Sequence, residues 1–374
     1  MDVKKLRKEF PVTKEYTYLD NACIGPLTDR AVNYMTNFVE NMSKCGGVNE
    51  DWWVEDVHKT RVSVARLLNA DPSEIAFVKN TSEGISFVAN GVEWSINDNV
   101  IITDVEFPAN VYPWTNLRDR WVKVKSVPED EEGRISFEKI EKAVDEQTRV
   151  ISISFVEFTS GFKNDLKRIG ELCRENDIIF VVDAIQGLGA LSLDVKEMGI
   201  DFLAADGHKW LLSPEGVGIF YARKGSMEKL LVHEVGWASV VDKEDYLDYN
   251  LTLRPDATRF ECGSLNTVGI YGLKGSLEVI HEVGIKNVET WVLGLTDYLV
   301  EKLEKKGYSV FSSRRDGEKS SIVSFYSEQH NLPRIHSNLT SKGVIVSLRD
   351  SRIRVSPHFY NTHEDIDKLL KYLP

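Results

Sequence analysis

The chain has little that would send it to a membrane, a nucleic acid or an oxidising compartment. Its 374 residues hold four cysteines, Cys23, Cys45, Cys173 and Cys262, and no two have C-x-x-C spacing. Neither a disulfide framework nor a zinc site is therefore indicated, no metal is expected, and reduced thiols point to the cytoplasm. The opening MDVKKLRKEF lacks an apolar signal core, and no apolar run reaches the ~18 residues of a membrane span. Basic residues are the minority: 46 Lys and Arg face 58 Asp and Glu, for a formal net charge of -12. With no long Lys/Arg run, that balance speaks against a nucleic-acid partner, and an acidic, solvated surface accounts for it. Common signatures are missing too. There is no G-x-x-x-x-G-K-[ST] loop and no G-x-S-x-G elbow, GLGALS (187–192) is not G-x-G-x-x-G, and HEVGW and HEVGI lack the second histidine of H-E-x-x-H. Nucleotide-binding, serine-hydrolase and zinc-protease readings lose most of their support.

What is present is a series of apolar runs: SEIAFVKN (73–80), DNVIITDVEF (98–107), TRVISISFV (148–156), DIIFVVDA (177–184), GIDFLAADG (199–207) and GVGIFYAR (216–223). They are expected as buried strands. Helical stretches are expected at 83–92, 136–146 and 164–176, the last with Leu166, Ile169 and Leu172 at helical spacing. Strands alternating with helices predict an α/β fold with a mostly parallel sheet covered on both faces. After about residue 265 the pattern changes to two helices, 269–284 and 285–307, then short strands and a capped final helix, THEDIDKLLKYL. We expect a large domain over 15–265 and a smaller α+β domain from 1–14 and 266–374.

Three places carry chemistry. Asp183 ends a strongly apolar strand, and ligands of open α/β sheets bind beyond the carboxyl ends of strands; an N-cap for the next segment is the plainer alternative. Lys209, in DGHKWLLSPEGVG (206–218), also follows an apolar strand. It is either a snorkelling surface lysine or a Schiff-base amine activated by desolvation. Asn80, Thr81 and Ser82 lie between a strand and a helix, where hydroxyls and free backbone N–H groups bind phosphate; an ordinary capping box is the alternative. Together, a phosphate cradle, a strand-end acid and a strand-end lysine are what pyridoxal phosphate needs.

These residues resemble the class V aminotransferases, the fold-type I pyridoxal-phosphate enzymes that include cysteine desulfurases. The likeness runs nearly end to end, through YLDNACIGPL (18–27), NTSEG (80–84), EFPANVYPW (106–114), VVDAIQ (181–186), DGHKW (206–210), RFECGSLN (259–266) and RVSPHFYNT (354–362). The resemblance implies a mostly parallel, seven-stranded-type sheet with a smaller C-terminal domain. It implies that Lys209 carries the cofactor and moves protons at the substrate α-carbon, and that Asp183 pairs with the pyridine nitrogen. Gln186 would bond the ring's phenolic oxygen, and Phe107 would stack on the ring. Thr81, Ser82, His208 and the neighbouring Asp206 would line the phosphate end. Gly263 and Ser264 would reach the cofactor phosphate of a second subunit, which makes a homodimer with shared sites. Arg354 would clamp the substrate α-carboxylate, with Asn21 and Ala22 beside the substrate.

The chain departs from the desulfurase pattern. Phe107 stands where a proton-carrying histidine is common, Phe158 where a polar residue is usual, and Asp206 where a small hydroxylated residue contacts phosphate. GVIVSLRDSRIR (343–354) is short and lacks the loop cysteine, which disfavours ordinary cysteine desulfuration. The expected activity is transfer of an amino group from an amino acid to a 2-oxo acid, with a lyase or epimerase of the same group as the alternative. Trp52, Trp53 and Arg349 are candidate pocket residues, and KCGGVNEDWW (44–53) a candidate lid on glycine hinges; surface or interface packing is the alternative for the side chains.

Overall fold

The computed structural model describes residues 2–374. A short strand, β1 (Thr17–Tyr18), leads into the large sheet, whose strands in chain order are β2 (Ile75–Val78), β3 (Asn99–Thr103), β4 (Lys123–Val127), β5 (Thr148–Ser154), β6 (Ile179–Asp183), β7 (Phe202–Asp206) and β8 (Gly218–Ala222). They lie in the order β2-β8-β7-β6-β5-β3-β4. All neighbours are parallel except β8, which runs antiparallel to both β2 and β7. Two reversals cancel, so β2 points the same way as β6 and β7, and all three C-terminal ends open on one edge.

The strands expected from apolar runs are present. Every residue of β2, β3, β6, β7 and β8 is buried, as strands covered on both faces must be. The run-based reading missed β4: its KVKSV is the sheet's edge and largely exposed, so it needs no continuous apolar stretch. Also missed were the helices Asp29–Cys45 and Glu50–Leu68. They replace the expected lid with a helical hairpin. Gly46 ends the first helix at φ +56°, a conformation that glycine adopts without cost. Glu50 and Asp51 then open the second helix, where acidic groups favour the N-terminal dipole. Trp53 packs edge-on against Phe38 at 5.1 Å, which anchors the hairpin.

A second sheet carries β9 (Ser309–Val310), β10 (Val323–Tyr326), β12 (Ser347–Arg349) and β13 (Arg352–Val355) in the order β12-β13-β10-β9, while β11 (Val344–Ile345) pairs in parallel with β1. The cores divide at a different place from the composition change. Ile270, Leu273, Leu277 and Val292 pack with the large sheet, as does Phe10, whereas Leu295, Leu299 and Leu303 pack with the small one. The helix Thr267–Val283 thus belongs with the large core, and we place the division within the helix Ile285–Lys305. The reason is periodicity: a helix that buries one stripe looks the same in sequence whichever sheet it covers.

Candidate active site

The edge where β2, β6 and β7 end borders a cavity of about 550 Å³, lined among others by Thr81, Asp183, Asp206, Lys209 and Arg354. Asp183 is the last residue of β6, Asp206 the last of β7, and Thr81 the first of the helix that follows β2. Residues as far apart in sequence as Thr81 and Asp206, 125 positions, therefore converge because parallel strands deliver their C-terminal ends to one side.

Lys209 is 7% exposed. Burial pushes its amine down to about 8, partly offset by the Asp183 carboxylate. Its burial argues against a snorkelling role, and the downward shift makes the nucleophilic neutral amine easier to reach than in an ordinary lysine. Asp183 is fully inside. Burial raises its carboxyl to about 6, against the Ile185 backbone N–H and the Lys209 charge, which pull it down. One oxygen accepts from Ile185 N at 3.0 Å, and the other, Oδ2, is buried without a partner. Such an orphan costs free energy unless a ligand supplies a donor.

At the other end, Asn80 caps the helix Thr81–Gly91, accepting from Glu83 N at 3.0 Å. Thr81 and Ser82, the helix's first two residues, line the cavity. Thr81 Oγ1 accepts the Asp206 backbone N–H at 3.0 Å, which ties the helix start to the end of β7. The Asp206 carboxylate lies 2.9 Å from His208 Nδ1, within ion-pair range of a protonated imidazole but off the hydrogen-bond direction.

Arg354 is 2% exposed. Nη1 donates to the Phe158 carbonyl at 2.8 Å, Nη2 reaches Asp20 at 3.5 Å, and Nε is buried with no partner. The guanidinium is held by the protein and keeps donor capacity. Phe107 stands edge-to-face with Phe158 at 5.3 Å, and its ring centre is 5.4 Å from Lys209 Nζ. Gln186 donates to the Ala22 carbonyl at 3.0 Å and accepts from the Trp210 indole at 3.1 Å, leaving one amide N–H free.

The family model "Aminotransferase class-V" matches residues 17–369. The chain belongs to the class-V aminotransferase family. A probable cysteine desulfurase of Methanothermobacter thermautotrophicus is 30% identical over 99% of this chain and 96% of its own length. An uncharacterized aminotransferase of Bacillus subtilis is 27% identical over 97% and 95%. Among solved structures, the apo cysteine desulfurase of Thermococcus onnurineus has a TM-score of 0.90 at 24% identity, covering 98% and 96%. A complex of a cystine C-S lyase with its product has a TM-score of 0.88 at 21% identity, covering 97% and 98%. These likenesses establish fold type I.

As a class-V enzyme, the protein depends on pyridoxal phosphate, and its cavity fits that group. The orphaned Asp183 oxygen suits a protonated pyridine nitrogen, the desolvated Lys209 amine suits its aldehyde carbon, and the helix start at Thr81 and Ser82 suits its phosphate.

Some expected residues are placed elsewhere. Ala22 lines the cavity but Asn21 does not. Asn21 is wholly buried, donates to the Ser356 carbonyl at 2.8 Å and accepts from Tyr360 at 2.9 Å. Its amide fastens the 18–27 segment to the small domain. Gly263 and Ser264 line neighbouring cavities beside Lys79 and Trp237, away from Lys209. Trp53 lines one of those cavities; Trp52 is exposed on the helical hairpin and lines none of the three.

Sequence reasoning missed three groups. Cys23 lines the Lys209 cavity, although in sequence it is remote from the hairpin where a cysteine was sought. Glu106 is buried, accepting from Ser154 N at 2.8 Å and Ser154 Oγ at 2.6 Å, with its carboxyl pushed by burial up to about 7. Glu157, bonded to Asn164 at 2.8 Å, is raised well above the usual range by burial and by Glu106. The available signal was an acid directly after an apolar strand, in DVEFP and SFVEF, the same signal that exposed Asp183.

Proposed function

We propose that the protein transfers an amino group between an α-amino acid and a 2-oxo acid. The observation that carries this reading is the single cavity in which a desolvated Lys209 amine, Asp183 and Arg354 meet. Pyridoxal phosphate supplies the electron sink that lets a bond at the amino acid's α-carbon ionise. Asp183 holds the proton on the pyridine nitrogen. Arg354 receives the α-carboxylate with a planar guanidinium already oriented by Phe158 and Asp20. With the cofactor in place, Lys209 would be the base that takes the substrate's α-proton and holds it for return. Its aromatic neighbours Phe107 and Phe158 carry no proton. One base shuttling a proton in a 1,3 sense suits transamination, whereas epimerisation needs a second proton donor.

Mixing holoenzyme with single amino acids and no oxo acid tests this. Stoichiometric conversion to the pyridoxamine form supports transamination; continuous release of pyruvate and ammonia, or an inverted amino acid, overturns it. A second reading, sulfur removal from cysteine, is favoured by Cys23 in the cavity and by the desulfurase names of the relatives.

The same reading includes a homodimer with shared sites, in the cytoplasm. Supporting it, Gly263 and Ser264 line cavities other than that of their own Lys209, and Tyr246, Leu247, Tyr249 and Leu251 form an exposed apolar stretch that a second copy would cover. Hybrid dimers of Lys209→Ala with a Ser264 variant should regain one working site; hybrids no better than either parent would refute sharing.

A further inference from the structure

Arg349 is the cation that the transamination mechanism leaves unused. It ends β12, and the register of the β12–β13 hairpin pairs Ser347 with Arg354 and Arg349 with Arg352. Directly opposed residues share a face, and residues two apart along a strand share it too. Ser347, Arg349, Arg352 and Arg354 therefore project from one side of the hairpin. The turn is tight: Asp350 and Ser351 have φ of 44° and 58°, the pair of left-handed residues that closes a two-residue hairpin and fixes its twist. Arg349 is thus held at a set distance from Arg354, nearer the solvent.

The two outer arginines differ in their partners. Arg352 is neutralised by Asp350 at 2.6 Å and lies over the Phe311 ring at 3.6 Å. Arg349 makes no ion pair among the described residues; its one polar side-chain contact is Nη2 to Cys23 Sγ at 3.8 Å. Both Arg349 and Cys23 line the Lys209 cavity.

The charges in the cavity explain why this matters. Asp183 would answer the pyridine nitrogen, His208 sits with Asp206, and the helix start at Thr81 would receive the phosphate. A substrate's α-carboxylate answers Arg354. The Arg349 guanidinium forms no ion pair among the described residues: Glu215, the cavity's remaining carboxylate, does not pair with it, and Asp20, which feels its charge, is already bonded to Ser347 and Arg354. We propose that Arg349 binds a second carboxylate, so that the amino donor or the 2-oxo acid is dicarboxylic. The inference rests on the reading of Arg354 as the α-carboxylate site, but not on which bond the enzyme breaks.

Binding of unreactive acids to the holoenzyme separates the two. Glutarate and succinate, which have no amine or oxo group, are titrated against butyrate at constant ionic strength by calorimetry. A dicarboxylate preference on the order of tenfold or more is expected. It should collapse toward parity in Arg349→Gln and persist in part in Arg349→Lys, which keeps the charge and loses the fork. Equal binding of both acid classes by the unaltered enzyme, or a preference that survives Arg349→Gln, overturns the proposal. Failure of transamination with a preference intact would condemn the reaction assignment and leave Arg349's role standing.

Discussion

A β-carbon added to Gly25 would stand 2.0 Å from the carbonyl oxygen of Lys209. The Gly25 backbone N–H also donates to the neighbouring His208 carbonyl at 2.7 Å. The segment that supplies Ala22 and Cys23 to the cavity is thus pressed against the backbone of the lysine, and only the absence of a side chain permits the contact. Lys209 and this wall of the cavity are one packed unit.

Gly25→Ala should therefore displace Lys209 or the 18–27 segment. Overpacking of this kind costs ~1–3 kcal/mol. Thermal melts and the rate of pyridoxal phosphate loss should both worsen; an unchanged melt with normal cofactor retention would contradict the contact.

Capture of pyridoxal phosphate by the apoprotein should depend on pH through Lys209. The neutral amine is the reactive form, and burial puts its midpoint at about 8. The capture rate should climb by roughly tenfold per pH unit below that value and level off above it. Lys209→Ala should show no lysine-linked visible band at any pH and lose at least ~10³-fold in turnover. A midpoint near the ordinary lysine value would show that the amine is solvated.

Asp183 should destabilise the apoprotein at neutral pH. Its folded carboxyl is raised to about 6 by burial, so between the ordinary aspartate range and pH 6 the folded state holds more protons than the unfolded one. Stability contributed by this group is present at low pH and lost as pH rises through about 6. Apo Asp183→Asn should accordingly be more stable than the parent at pH 7–8, by an amount on the order of 3 kcal/mol, and similar near pH 4. The holoenzyme should show the reverse, since asparagine cannot hold the pyridine proton. Denaturant midpoints at the two pH values decide the matter.

Arg354→Lys should raise KM for the amino acid, lowering kcat/KM by roughly 10²-fold, because an ammonium cannot match the guanidinium fork. Its buried neighbour Asp20 would lose part of its pairing, so a modest fall in melting temperature should accompany the kinetic loss. A change in kcat alone would mean that Arg354 is not a ground-state carboxylate site.

Cys23→Ala separates the two readings of the reaction. If the enzyme transaminates, the variant keeps the single-turnover spectral change with its amino acid. If the cavity thiol accepts sulfur from cysteine, alanine formation and persulfide labelling in the parent should both vanish in the variant.

Much of this site was legible in the chain. Asp183, Lys209, Thr81 and Ser82 announce themselves locally, because an ionisable or hydroxylated residue just after an apolar strand needs a ligand to justify its place. The strands β2, β3, β5, β6, β7 and β8 were legible for the same reason: burial on both faces leaves a continuous apolar run. The edge strand β4 was not, since one exposed side removes that run. Family motifs named the cofactor but overreached at Asn21, whose amide goes to Ser356 and Tyr360. Only tertiary structure decided which distant groups share the cavity. It brought Cys23 to Arg349, 326 positions away, put Gly263 and Ser264 in cavities other than that of Lys209, and buried Glu106 and Glu157. Sequence spacing records local periodicity; the closure of a parallel sheet and the register of a hairpin set which residues meet across hundreds of positions, and no local pattern encodes that.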